Sequence, residues 1–369
     1  MSERAIVIGG GIVGLSIALG LARAGLGVVI LDGADADNRA SYGNAGLVWV
    51  QSKGADHVPY ARWSRQSARL WPAFAAELEQ TTGIDVEYDQ RGGFSFCLDE
   101  AEVEARRAMV DKMAARLGPE NDVEFVDAGF VRQRVPHVGP KVLGASWCPS
   151  DGHVNPLLLM GALRKRAAAL GIDILYGHKA TRIGMNGSHL TVYGEGFGMR
   201  ADRVVVAAGL ATQELAATAG MTVPLKPVRG QIVVTERLRK VIDYPTPTTR
   251  QARAGSVIFG NSHEDDMAVP GTTLSVIASH AQRAIAEFPF LASRRILRSW
   301  GAIRVMPRDG RPVYASSGTC PGAYAIACHS GITLTAIHAG IVGPFIAAGE
   351  LPPAVSTFSD ERFHVVSPA

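Results

Sequence analysis

The chain is poor in cysteine, with four in 369 residues: Cys97, Cys148, Cys320 and Cys328. No two of them form a CxxC pair, so their spacing argues against a zinc ribbon or an iron–sulfur cluster held by this chain. The pattern predicts four reduced thiols in the core of a cytosolic protein. A disulfide between Cys320 and Cys328 across a hairpin is the less favoured alternative.

The chain also lacks a strong charge of either sign. It has 37 Lys and Arg residues against 34 Asp and Glu residues, a net charge of +3, and no basic run. This balance argues against nucleic acid as a partner. Uninterrupted apolar runs are missing too, because glycines break residues 5–24 and 331–348. We therefore predict neither a signal peptide nor a transmembrane segment, and a cytoplasmic location.

No hydrolytic or metal-dependent catalytic unit is evident. The chain shows no Ser-His-Asp order, no paired carboxylates and no cluster with metal-ligand spacing, so no metal site is predicted. Glycine, by contrast, is abundant, with 41 residues concentrated in turns between apolar segments. This distribution is typical of an α/β enzyme whose backbone closely approaches a cofactor.

Residues 5–32 contain a strand, a glycine-rich turn, a helix and a second strand in succession. Gly9 permits the tight turn, Gly11 lets a pyrophosphate approach the backbone, and Gly14 lets the helix pack closely on the sheet. The helix N-terminus offers free N–H groups and a partial positive charge to phosphates. Asp32, at the end of the second strand, is placed to accept ribose hydroxyls. The pattern predicts a dinucleotide site without choosing between NAD and FAD, and a glycine turn without a ligand is the alternative.

The rest of the chain predicts an α/β fold with an α+β substrate part. The apolar run 203–208 is typical of a central parallel strand. Strands at 231–235, 256–259 and 273–277 are predicted to form an antiparallel sheet, followed by a helix at 279–288; a last helix is predicted at 332–348. We assign residues 1–85, 150–220 and 315–369 to a discontinuous nucleotide-binding domain, and residues 86–149 and 221–314 to an inserted substrate-binding domain.

Further motifs follow the glycine turn in a fixed order. They are Ser41-x-x-Asn44-Ala45-Gly46, the segment 151–156 (DGHVNP), the segment 205–209 (VVAAG), the segment 227–231 (PVRGQ), the segment 300–304 (WGAIR) with PxDGxP at 307–312, and the segment 329–333 (HSGIT). Together they resemble the FAD-dependent amino-acid oxidases and dehydrogenases of the D-amino-acid oxidase, glycine oxidase and sarcosine oxidase superfamily. The resemblance spans essentially the whole chain and implies a Rossmann-like FAD-binding domain with an inserted antiparallel-sheet substrate domain.

The resemblance implies non-covalent FAD, because no cysteine occurs in residues 305–308, where the sarcosine-oxidase branch carries its covalent flavin link. The backbone amides at the start of the last helix would face the flavin pyrimidine edge, where reduced flavin gains negative charge. The residues implied to contact FAD are Gly9, Gly11, Ile12, Val13, Gly14, Asp32, Gly33, Ser41, Asn44, Ala45, Gly46, Leu47, Ala180, Ala208, Gly209, His329, Gly331, Ile332 and Thr333.

For the substrate, the resemblance points to Arg304 as the carboxylate anchor, since a guanidinium pairs bidentately with an amino-acid carboxylate. A structural ion pair is the alternative for this residue. His263 is a weaker candidate at the border of the pocket, and Arg229 is expected to brace the sheet. No catalytic acid or base is required, because in this chemistry the flavin takes a hydride from the carbon that bears the amine.

Within the superfamily, residues 43–48 and 300–312 look most like the β-subunits of heteromeric opine, D-hydroxyproline and hydrogen cyanide-forming dehydrogenases. That resemblance implies an amino acid or N-substituted amino acid as substrate, and partner subunits with FAD and iron–sulfur centres, peripheral to the inner membrane. The alternatives are a stand-alone glycine, D-amino-acid or sarcosine-type oxidase that uses oxygen, an NAD-dependent dehydrogenase, and a non-catalytic FAD-binding subunit.

Overall fold

A computed structural model describes residues 3–33, 40–187 and 189–364. Its strands are β1 (Arg4–Ile8), β2 (Gly27–Asp32), β3 (Leu47–Val48), β4 (Gly93–Cys97), β5 (Glu124–Asp127), β6 (Gly144–Cys148), β7 (Gly152–His153), β8 (Asp173–Tyr176), β9 (Ala180–Asn186), β10 (His189–Gly194), β11 (Phe197–Ala201), β12 (Arg203–Val206), β13 (Leu225–Arg237), β14 (Thr249–Gln251), β15 (Ser256–Phe259), β16 (Glu264–Asp265), β17 (Ile296–Pro307), β18 (Val313–Ser316) and β19 (Ala323–Ala327). Its α-helices are α1 (Ile12–Arg23), α2 (Ala40–Gly43), α3 (Val58–Thr82), α4 (Glu100–Leu117), α5 (Ala128–Arg134), α6 (Pro156–Ala169), α7 (Thr212–Thr218), α8 (Leu274–Glu287), α9 (Gly331–Ile337) and α10 (Gly343–Ala347).

The centre of the molecule is a six-stranded sheet in the order β18-β19-β12-β1-β2-β8. All neighbours pair in parallel except β18, which is antiparallel to β19. Residues of β1 alternate between two cores: Ala5 and Val7 pack on the face covered by α1, α3 and α6, whereas Ile6 and Ile8 pack on the face covered by the β9-β10-β11 sheet and α7. Burial on both faces explains why these strands are continuously apolar.

A second body contains the antiparallel sheet in which β13 pairs with β15, β16 and β17. The small β4-β6-β5 sheet and the helix α8 share a third hydrophobic core with it, which includes Phe94, Val233 and Phe288. Strand β17 lies on the side of this body that faces the central sheet, since a Cβ on Gly209, in the turn after β12, would lie 3.6 Å from Cγ2 of Val305. The mixed α/β architecture confirms the predicted fold class, while the division into two discontinuous domains stays a prediction.

One predicted element is wrong. The β-branched residues Thr273, Val276 and Ile277 favour a strand at 273–277, but α8 begins at Leu274 and includes the last two of them. The apolar residues Ile277, Ala281, Ala284 and Phe288 recur with helical spacing and face the third core, and this tertiary packing outweighs local β-propensity.

The last predicted helix, 332–348, is present but divided. Helices α9 and α10 flank a single π-helical stretch at His338–Val342. Pro344 explains the irregularity, because it lacks an N–H group and its ring would clash with the carbonyl of the preceding turn. The four cysteines are buried and unbridged. No helix in the described ranges combines the length and the hydropathy needed to cross a membrane.

Candidate functional site

The glycine turn between β1 and α1 is held too tightly for side chains. Gly9 has a φ of +112°, and a Cβ there would lie 2.3 Å from the carbonyl oxygen of Ala207. A Cβ on Gly14 would lie 1.9 Å from the carbonyl oxygen of Gly9. Gly9 therefore lets the turn approach the end of β12, and Gly14 lets α1 pack directly against the turn.

Gly11 differs, because a Cβ there would meet only the hydroxyl of Ser41, at 3.1 Å, and otherwise open space. It is the N-cap of α1, with a φ of −79° that any residue can adopt. The amide of Ile12 donates to Ser41 Oγ over 3.0 Å, and the amides of Val13 and Gly14 follow it in the first turn, where the helix provides no acceptor. The space in front of Gly11 thus faces N–H groups and the positive end of the helix dipole.

Asp32 ends β2 beside this turn and is 1% exposed. Its Oδ2 accepts a hydrogen bond from the amide of Gly10 over 3.0 Å, which holds the carboxylate next to the glycine turn. The carbonyl of Asp32 accepts from the amide of His178 over 3.1 Å, so the segment that leads into Ala180 also runs past this point. The first half of the expected cofactor site, including Ala180, is therefore brought together.

The segment 40–47 forms a second wall. Asn44 closes it internally, since its Nδ2 donates to the carbonyls of Ala40 and Ser41 and its Oδ1 accepts from the amide of Gly46. Gly46 has a φ of +76°, and a Cβ on it would lie 2.2 Å from the carbonyl oxygen of Val154. The wall is thereby pressed against the entry to α6.

Two side chains from the second body tie this wall to the substrate-side sheet. Trp300 Nε1 donates to the carbonyl of Gly43 over 3.1 Å. The buried guanidinium of Arg250 donates through Nε to the carbonyl of Ala45, and burial lowers the pKa of Arg250 to about 10. Arg250 belongs to none of the motifs singled out in the sequence, because β14 carries no recognisable pattern.

The turn between β19 and α9 forms the third wall. A Cβ on Gly331 would lie 3.1 Å from Cγ2 of Ile12, so the N-termini of α9 and α1 adjoin. Thr333 Oγ1 accepts from the amide of Trp49 over 3.1 Å and donates to the carbonyl of Leu47 over 3.4 Å. Segments separated by 284 and 286 positions in the sequence thus meet at one place.

Together these walls border the carboxyl ends of the central strands, and we refer to the space between them as the trough. The strands are buried, but the residues along the trough remain partly open to solvent: Gly9, Gly11, Gly33, Ser41, Leu47, Ala208, Gly209 and Gly331. Glycines line the walls of the trough, and the N-termini of α1 and α9 lie at one side of it. The carboxylate of Asp32 lies beside the glycine turn. These features suit the phosphates, the ribose and the extended shape of FAD, so the residues present fit this cofactor.

Arg304 lies on β17. Its Nη1 donates to the carbonyl of Ser262 over 2.7 Å, and its Nη2 donates to Oδ1 of Asn261 over 3.3 Å. The guanidinium covers Gly230, where a Cβ would lie 2.4 Å from its Cζ. Within the described ranges no carboxylate lies within 4 Å of this guanidinium. The structural ion pair considered for Arg304 is therefore not seen in that part of the chain.

The two other basic candidates have acidic partners. Arg229 forms an ion pair of 2.5 Å with Glu264, which agrees with the expected bracing role. His263 is about half exposed, and its Nε2 lies 3.4 Å from Oδ1 of Asp265.

A buried polar network holds the chain immediately after β3. Asp151 Oδ1 accepts from the amides of Val50 and Gln51 at 2.5 and 3.3 Å, and Oδ2 accepts from Gln51 Nε2 at 2.6 Å. Oε1 of Gln51 accepts a hydrogen bond from Oγ of Ser146. Burial raises the pKa of Asp151 to about 7, and the hydrogen bonds oppose that shift. The motif at 151–156 therefore fixes the segment that leads to Lys53.

We expect Asp151→Asn to alter the pH dependence of stability. Because the pKa of Asp151 is raised from 3.8 in the unfolded chain to about 7, its contribution to the free energy of unfolding falls as the pH rises through this interval. Relative to wild type, the variant should gain roughly 2 kcal/mol between pH 5 and pH 8, measured from thermal unfolding midpoints. Asp173→Asn, at an exposed position, is the control. If the stability difference between Asp151→Asn and wild type were the same at pH 5 and pH 8, the raised pKa of Asp151 would be contradicted.

Comparisons with known proteins agree with this geometry. The family model for FAD dependent oxidoreductases, DAO, matches residues 4–343. The chain is 41% identical to an opine oxidase subunit of Rhizobium meliloti, over 97% of this chain and 96% of that protein. It is 42% identical to an opine oxidase subunit of Agrobacterium tumefaciens, over 97% of each. The crystal structure of glycine oxidase from Geobacillus kaustophilus shares the fold, with a TM-score of 0.90, 23% identity and 99% of each chain covered.

The motif order, the trough and these comparisons lead to one assignment. The chain belongs to the DAO family of FAD-dependent oxidoreductases and is an enzyme of the amino-acid oxidase and dehydrogenase type.

Proposed function

We propose that the protein oxidises the C–N bond of an amino acid or an N-substituted amino acid such as an opine, giving an imine that hydrolyses to a keto acid and an amine. The observation that carries the proposal is the guanidinium of Arg304, held in place by the Ser262 carbonyl and Asn261 with no carboxylate beside it in the described ranges. Support also comes from the two relatives, 41% and 42% identical, that are named as opine oxidase subunits.

Arg304 orients the substrate. The acceptors that hold the Arg304 guanidinium are uncharged, so its positive charge remains available for a substrate carboxylate. The guanidinium would pair with that carboxylate through two parallel hydrogen bonds. That contact fixes the position of the carbon next to the carboxylate, so the carbon is already oriented towards the flavin when it reacts. FAD, when bound, supplies the chemistry by accepting a hydride from that carbon.

The electrostatic surroundings favour a neutral substrate amine. Burial lowers the pKa of His329 well below its usual range, and the positive charge of Arg304 adds to that shift. An ammonium group placed beside the guanidinium of Arg304 would be disfavoured in the same way, so the substrate would bind with its amine uncharged and its electron pair free.

The test is anaerobic mixing of the holoenzyme with a panel of amino acids and opines, followed through the visible absorbance of the flavin. We expect the flavin to be bleached by at least one opine or N-substituted amino acid, and the keto acid to be found after hydrolysis. Failure of every amine in the panel to bleach a flavin that dithionite does reduce would overturn the proposal.

The physiological acceptor is proposed to be a partner subunit, since the relatives are named as subunits. The resemblance to heteromeric dehydrogenases implies that this partner carries further FAD and iron–sulfur centres. The complex would work in the cytoplasm, peripheral to the inner membrane. Admission of air after bleaching discriminates between this arrangement and a stand-alone oxidase: slow recolouring is expected for the heteromeric enzyme and fast recolouring for the oxidase.

A further inference from the structure

Lys53 extends from the turn after β3 towards the third wall of the trough. Its Nζ lies 3.5 Å from Nδ1 of His329. The pKa of His329 is far below its usual range, so the imidazole is neutral at pH 7 and Nδ1 accepts this weak hydrogen bond from the ammonium. The contact joins residues 276 positions apart in the sequence.

The ammonium of Lys53 has no acidic partner in hydrogen-bond contact. Within the part of the chain that the structure describes, no carboxylate lies within 4 Å of Lys53 Nζ. Asp151 is within electrostatic reach, but its oxygens already accept hydrogen bonds from Val50 and Gln51. A partly buried cation next to a neutral imidazole and near a second cation is costly unless an anion joins it.

Arg304 is that second cation, and it too lacks a carboxylate partner in the described ranges. After burial, the charge of Arg304 contributes to lowering the pKa of both Lys53 and His329, so Arg304 lies within electrostatic reach of both. Glu264 acts on Arg304 in the opposite sense, but its carboxylate is paired with Arg229. One substrate carboxylate would satisfy Arg304 and leave Lys53 unpaired. Because Glu264 is engaged by Arg229 and Asp151 by Val50 and Gln51, an ordinary amino acid would leave one of the two cations without a hydrogen-bonded anion.

We propose that Lys53, oriented by His329, binds a second carboxylate and makes this enzyme selective for secondary amines that carry a carboxylate on each side of the nitrogen. The inference rests on the proposed function and narrows its substrate class. Arg304 holds the carboxylate beside the carbon that is oxidised, and Lys53 holds the carboxylate of the N-substituent. Lys53 is therefore a specificity residue, and its loss should affect diacids alone.

The test compares two amines that differ by one charge. N-(1-carboxyethyl)alanine, as the mixture of stereoisomers, is the diacid, and N-isopropylalanine, in which a methyl group replaces one carboxylate, is the monoacid. We expect Lys53→Met to lower kcat/KM for the diacid about 10- to 100-fold, the worth of one charge-assisted hydrogen bond, and to change the monoacid less than about threefold. Lys53→Arg should restore most of the preference.

A binding measurement separates recognition from turnover. The thioether 2,2′-thiodipropionate cannot be oxidised at nitrogen, and its dissociation constant, measured by calorimetry on the holoenzyme, should rise about 10- to 100-fold in Lys53→Met. Lys141→Met, at an exposed lysine, is the matched control and should leave the constant unchanged.

The pH profile tests the charge itself. Burial and the charge of Arg304 lower the pKa of Lys53 to about 8, with Cys328 and Asp151 opposing that shift. The ratio of kcat/KM for the diacid to that for the monoacid cancels the titration of the amine, and it should fall as the pH rises through about 8. The ratio should be flat in Lys53→Met.

The outcomes are distinguishable. If no amine bleaches the flavin, the proposed function fails. If both amines react but wild type and Lys53→Met show the same diacid preference, or none, the second carboxylate subsite is refuted while the proposed function stands. Equal losses for both amines would assign Lys53 a structural role and would equally refute its selectivity.

Discussion

The Arg304→Met variant is expected to keep its FAD and to lose about 10²- to 10⁴-fold in kcat/KM for the true substrate. Removing one partner of a partly buried, hydrogen-bonded charge pair costs about 3–5 kcal/mol, and each 1.36 kcal/mol is tenfold in rate. The loss should appear in the reductive half-reaction, measured as the anaerobic rate and apparent Kd of flavin bleaching. Arg295→Met is the matched control, because Arg295 is highly exposed and pairs with Glu236 away from the trough.

Gly230→Ala provides an independent route to the same result. Gly230 has no left-handed backbone angle, so alanine fits the strand, but the new Cβ would lie 2.4 Å from Cζ of Arg304 and would displace the guanidinium. We expect a folded, yellow protein with a raised KM. Unchanged substrate kinetics in both Arg304→Met and Gly230→Ala would show that the carboxylate binds elsewhere.

Gly11→Val is expected to abolish FAD binding without unfolding the protein. Gly11 has an extended backbone that valine adopts readily, and its Cβ would meet only Ser41 Oγ, at 3.1 Å. The branched side chain would instead fill the space in front of the α1 amides, where phosphates would lie. We expect a colourless preparation whose Kd for added FAD, measured by quenching of flavin fluorescence, is raised at least about 100-fold, or roughly 3 kcal/mol.

Gly318→Val serves as the control, because Gly318 is exposed and has nothing within 4 Å of its Cβ position. That variant should be yellow with wild-type affinity. Circular dichroism of the two variants should be alike. A yellow Gly11→Val protein would contradict the placement of the phosphates at this turn.

Local sequence patterns predicted the first βαβ unit well, because its elements depend on contacts within about 30 residues. Strand β1, helix α1 and strand β2 lie where the apolar runs and the glycines place them. The start of α6 has a similarly local basis, since Asn155 directly precedes Pro156 and its Oδ1 accepts from the amides of Leu157 and Leu158.

The remaining features depend on distant residues and leave no local signal. Arg250 contacts a carbonyl 205 positions away, and Lys53 contacts a histidine 276 positions away. The sequence around each residue does not distinguish it from a lysine or arginine on the surface. The strand expected at 273–277 failed for a related reason, since the partner that decides its conformation is the third core and not its neighbours in sequence.

The trough also sets the order of events during biosynthesis. One edge of β1 pairs with β2, which is translated soon after it. The other edge pairs with β12, and Ile12 packs near Gly331, and both of these partners are translated much later. A nascent chain that has just completed β2 thus carries an intact glycine turn beside an unpaired strand edge, which is prone to aggregation. Loading with cofactor must follow translation of nearly the whole chain, so flavin availability would govern the yield of mature protein and not the early steps of its folding.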